Sequence, residues 1–124
     1  MSAVFIQVGS GLAIVLGLVH FASTKVALRD LTGLSVDGYR MVVMQWLGVG
    51  YLLLFLGGVP LSLVRLGAFV GTCADVVGIS ALALAAILAV STFVAYRPTK
   101  NPIGKVVSFV FPIIALFFAL GTFI

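Results

Sequence analysis

The chain has 124 residues, 63% of them hydrophobic and only 8% charged, with seven Lys and Arg against three Asp and Glu for a net charge of +4. Charged residues make up about a quarter of an ordinary globular domain, and so few could not keep this much apolar surface in water, which excludes an ordinary soluble domain. The basic excess reads as anchors facing anionic lipid rather than as a nucleic-acid surface, and a single cysteine, Cys73, excludes an internal disulfide and a cysteine-based metal cluster.

Crossing the hydrocarbon core takes roughly 20 apolar residues, and four stretches qualify. The first, from about Ala3 to Thr24, follows an N-terminus without a basic segment, so no cleaved signal peptide is expected, and no lipidation motif is expected either. At 100° per residue its Gly9, Ala13, Gly17, His20 and Thr24 share a face. A charged loop from Lys25 to Arg40 leads to the second span, Met41 to about Leu61, which carries Gln45, Trp46, Gly48, Gly50, Gly57 and Gly58. A short turn around Pro60 to Gly67 precedes the third span, about Thr72 to Tyr96, with Asp75, Gly78, Ala85, Ala86, Ala89, Ser91 and Thr92. The basic turn Arg97-Pro98-Thr99-Lys100-Asn101-Pro102 stops it, since neither proline can continue a helix. The fourth span runs from Val106 to Ile124 and is rich in phenylalanine.

In lipid every backbone polar group must be satisfied within the protein, which leaves helices or a closed barrel. Runs this long without period-two alternation predict helices: one all-α transmembrane domain, an integral membrane four-helix bundle. Lys25, Arg29, Arg40, Arg97, Lys100 and Lys105 fall on one side and Arg65 on the other, which puts the first and third loops in the cytoplasm and both termini on the non-cytoplasmic side. Small residues let helix backbones approach closely in lipid, so Gly9, Ala13 and Gly17 of the first span, Gly48, Gly50, Gly57 and Gly58 of the second, and Gly71, Gly78, Ala85, Ala86 and Ala89 of the third are the expected packing positions.

Two polar groups inside the spans invite chemistry. Asp75 is the sole acid in a span, one turn or so from the external side and level with Gln7 and Ser10; an ionisable group there marks an ion or proton site, or is an interfacial acid that pairs with Arg65 or caps the helix start. Gly71, Gly78 and Ala89 share its face, which turns it toward the bundle. His20 lies near the opposite end, level with Gln45, Ser91, Thr92 and Ser108, and Pro112 deprives the Ser108 carbonyl of its helical donor. Such a layer could hold a quinone head group with His20 moving a proton, or could simply hydrogen-bond across helices. One histidine makes neither a metal site nor a bis-histidine haem site. Trp46, Tyr39 and Tyr96 read as an interfacial aromatic belt, Tyr51 needs no function, and the phenylalanines of the fourth span read as lipid-facing or packing surface.

The segments Val19-His20-Phe21-Ala22-Ser23-Thr24-Lys25, Gln45-Trp46-Leu47-Gly48-Val49-Gly50 with the Leu52 to Gly58 run, and Tyr96-Arg97-Pro98 together resemble the DoxX-like group of small four-helix membrane proteins, mainly bacterial. That resemblance implies a plasma-membrane protein doing accessory redox work, since the group includes a small subunit of a membrane quinone oxidoreductase. Many members carry an acid near Gln45 and a histidine at Tyr96, so a proton-coupled role does not carry over. The expected function is a non-enzymatic or accessory subunit packed against membrane partners or its own copies, with no cofactor expected unless a quinone occupies a pocket at the cytoplasmic side. The alternatives are a small oligomeric transporter or channel using Asp75, and an enzyme using His20.

Overall fold

The computed structural model describes residues 2–29, 31–96 and 102–124. Among the described residues there is no strand; five helices run α1 Ala3–Ala22, α2 Thr24–Arg29, α3 Val36–Arg65, α4 Gly71–Tyr96 and α5 Pro102–Phe123. Four of them, all but α2, are long and apolar enough to cross a membrane. The basic turn Arg97 to Asn101 lies outside the described residues.

Helix boundaries depart from the hydropathy pattern where polar residues are helical. Ser35 caps α3, its hydroxyl accepting from the Gly38 N–H at 3.0 Å, and Asp37 sits in the first turn, where the helix dipole favours an anion. The second span therefore begins at Val36 rather than Met41, and part of the expected loop is helix α2, separated from α1 by Ser23 alone. At the other end Pro60 does not start the turn. It lies inside α3, which continues one more turn to Arg65, and its missing N–H leaves the Leu56 carbonyl without an i+4 donor. The helix stops at Gly67, which takes a φ of 69°; the Gly67 N–H donates to Val64 O at 3.2 Å and the Ala68 N–H to Leu63 O at 2.9 Å, the paired closure that a left-handed glycine after a helix permits. Pro102, expected to lie in a loop, opens α5, a position where a proline gives up no helical bond.

The spans alternate in direction. Ser2 N–H donates to Gly121 O at 3.0 Å, so both termini share one end of the bundle with the α3–α4 turn, while α2 and the start of α5 lie at the other. Helix α1 packs against α3 on one flank and α5 on the other, α5 packs against α4, and α3 and α4 touch only sparingly. Closeness follows the small residues. A Cβ on Gly17 would meet Leu53 and Leu54 at 3.2 and 3.1 Å, and one on Gly9 would meet Phe117 at 3.1 Å. Gly57 abuts the Ser10 carbonyl, Gly78 the Thr122 side chain and Gly121 the Ile6 side chain. The core that results joins Ile6, Ala13, Leu56, Ala81, Ala85, Ile114 and Phe118. The phenylalanines of α5 divide accordingly: Phe111 and Phe118 are buried, Phe109 and Phe123 exposed.

Candidate functional site

At the end bearing α2, the close of α1 is clasped to α3 by three linked contacts. The His20 imidazole stacks on the Trp46 indole with centroids 3.9 Å apart and planes 17° from parallel. Its Nε2 lies 2.7 Å from Trp46 O, and since a carbonyl only accepts, that nitrogen carries a hydrogen. The Trp46 Nε1–H donates back to Thr24 Oγ1 at 3.1 Å, and the Thr24 and Ser23 hydroxyls donate to His20 O at 3.3 and 3.0 Å. Phe21 extends the clasp, meeting Tyr51 edge-on at 5.0 Å.

The other members expected in this layer are placed differently. Gln45 is exposed, as is Ser91. Thr92 turns its hydroxyl onto its own helix, donating to Leu88 O at 2.8 Å and Ala89 O at 3.1 Å. Ser108 is half-buried on α5. Trp46 is the residue that sequence reasoning assigned to the interface and the structure joins to His20. Its signal lay in the spacing of Trp46, Gly50, Leu53, Gly57 and Pro60, steps of three and four that mark one helix face, four of whose members are buried.

At the opposite end Asp75 is exposed on α4, in correction of its expected inward orientation. The buried face of α4 is Ala74, Gly78, Ala81 and Ala85, and one residue beyond Ala74 is a rotation of about 100° off that face. Gly71, expected to share the Asp75 face, instead takes a φ of 53° at the helix start. Two other polar groups are deeply buried at this end: Ser10 Oγ and Thr122 Oγ1 have no hydrogen-bond partner.

Between α3 and α4, where the ring of helices is loosest, lies a cleft of about 250 Å³. Its α3 wall is Phe55, Leu56, Val59 and Pro60, and its α4 wall is Val76, Val77, Ser80, Ala81 and Leu84. Ser80 supplies the one hydroxyl among these side chains. Both ends of the hydrogen bond that Pro60 removes, Leu56 and Pro60 themselves, line the same cleft. No family model, no curated protein and no solved structure matches the chain, so the chemistry of these regions rests on their own residues.

Proposed function

We propose that this small multi-pass membrane protein is a non-enzymatic accessory subunit, held in a plasma-membrane assembly of the redox or quinone-associated kind that its DoxX-like motifs imply. The observation that carries the reading is the incomplete packing of α4. In its most apolar stretch 17% of residues are buried, against 28% in each of the other three spans. Its outward side presents Val76, Ile79, Ile87, Val90, Phe93 and Val94 with the small residues Ala83 and Ala86 between them, both exposed. Small residues among larger ones let a second helix backbone come close, and close packing is what holds helices together in lipid.

Gentle-detergent extraction from the native membrane, followed by affinity capture and mass spectrometry, tests it. A stoichiometric oxidoreductase partner is expected with the wild-type chain and is lost from Ala83→Phe and Ala86→Phe, which block close approach without adding charge. Capture of the chain alone, or a partner that tolerates both substitutions, would count against the reading.

A further inference from the structure

We propose that α3, with the wall of α4 that faces it, binds one anionic phospholipid from the leaflet at the end holding the termini, its phosphate at Ser62 and Arg65 and its tails in two adjoining grooves. Apart from Ser80, every side chain lining the α3–α4 cleft is apolar, and its walls belong to two spans that barely touch. On the lipid side of α3 the cleft adjoins a second, more open groove of about 510 Å³, lined by Leu54, Gly58, Ser62 and Leu63. Phe55 and Val59 line both and form the ridge between them. A Cβ on Gly58 would meet nothing, so the second groove is a notch where the helix lacks a side chain. Two apolar grooves side by side match the two tails of a phospholipid.

Length and polarity select the occupant. Phe55 lies ten residues from Arg65 along α3, about 15 Å, which is half of a hydrocarbon core about 30 Å thick. The grooves therefore run the depth of one leaflet. Gly58, Ser62 and Arg65 follow at steps of four and three and share a face, which changes from apolar to hydroxyl to guanidinium as it nears the helix end. A phospholipid has the same order from tail to phosphate. Arg65 is exposed, the only Lys or Arg among the described residues at this end, and a guanidinium offers phosphate oxygens two parallel N–H donors. Helix α4 starts at this end with no acid in its first turn, and the positive end of its dipole favours the same anion. The acids decide the net charge of the head group. Asp37 opens α3 at the opposite end, and Asp75 lies about 100° or more round α4 from each residue lining the cleft. Among the described residues no carboxylate side chain faces the grooves to hold a choline or ethanolamine ammonium, so a net negative lipid is preferred to a zwitterionic one. The lipid needs no partner protein, and the site stands whether or not the chain is a subunit.

Phosphatidylcholine nanodiscs holding the full wild-type chain, doped with a phosphatidylglycerol that carries a diazirine in one tail, test the proposal. Saturable crosslinks are expected within 54–63 and 76–84. A matched phosphatidylcholine probe at the same mole fraction is expected to label these segments about 3- to 10-fold less, the size of one interfacial cation's attraction for anionic lipid. Arg65→Gln is expected to bring the two probes level while both still label the grooves, since the tails seat as before. Gly58→Leu, built into open space, fills the notch and is expected to cut labelling of 54–63 by both probes with the helical circular dichroism unchanged. Even labelling round all four spans, equal labelling of the wild type by the two probes, or a preference that survives Arg65→Gln each overturn it. Labelling of the grooves in nanodiscs that is absent from native membrane vesicles would assign the face to a protein partner and overturn it too.

Discussion

Gly57 and Gly58 are neighbours in α3 with opposite surroundings. A methyl group on Gly57 would run into the Ser10 carbonyl oxygen and the Ile14 side chain, whereas one on Gly58 would meet nothing. Backbone cannot yield as a flexible side chain can, so Gly57→Ala is expected to cost about 1–3 kcal/mol through overpacking, less the roughly 1 kcal/mol by which alanine outdoes glycine in a helix. Gly58→Ala keeps that gain without the clash. Unfolding of both variants in detergent, followed by circular dichroism, should move in opposite directions, and equal shifts would mean that α1 and α3 are not in contact at Ser10. The His20 clasp allows a second comparison. Loss of an aromatic stack of about 0.5–1.5 kcal/mol and of an interhelical bond near 0.6 kcal/mol puts His20→Ala at about 1–2 kcal/mol. Thr24→Val should cost about 0.6 kcal/mol, the average for one interhelical bond, and the double variant less than the sum, because both act on Trp46. Strict additivity would show that the ring and the hydroxyl are independent.

At the scale of helices, what could be read from the sequence was whatever depends on solvent and period. Number and rough position of the spans follow from hydropathy, but small residues mark the packing faces only in part: Gly9, Ala13, Gly17, Gly50, Gly57, Gly78 and Ala85 are buried, whereas Ala86 is exposed and a Cβ on Gly48, Gly58 or Gly71 would meet nothing. Helix ends did not follow, because capping by Ser35 and continuation through Pro60 are decided by local hydrogen bonds that hydropathy ignores. Asp75 failed for a related reason. A face inferred from Gly71 was misleading, since Gly71 serves a left-handed turn rather than a helix contact. The clasp of His20 with Trp46 was half legible: the histidine's face was evident, but the tryptophan had an equally good interfacial explanation, and only the packing of α1 on α3 separates the two. Ser10 shows what no pattern would reveal. Its hydroxyl is fully buried and unpartnered, and a polar group left unsatisfied in an apolar site costs about 1–3 kcal/mol. Ser10→Ala, which removes that group and little volume, is therefore expected to leave thermal stability unchanged or raised. A clear drop in melting temperature would mean that the hydroxyl has a partner in the membrane, such as a bound water.

For the molecule as a whole, the bundle fixes which ends lie together, and which end faces the cytoplasm is a prediction drawn from the cations. Ser2 and Gly121 are bonded, and the α3–α4 turn lies at the same end, so the orientation of one terminus fixes that of Cys73 as well. Lys25, Arg29, Arg40 and Lys105 all belong to the opposite end, and positive loops are retained in the cytoplasm. Cys73 is the sole cysteine of the chain, and it is exposed two residues beyond the start of α4, close to the interface that the turn crosses. Orientation can therefore be read from the unmodified protein. A membrane-impermeant maleimide added to intact spheroplasts is expected to label Cys73 without prior lysis. Labelling that requires lysis while Cys73→Ser abolishes it would invert the bundle, putting the basic loops outside and Asp75 on the cytoplasmic side.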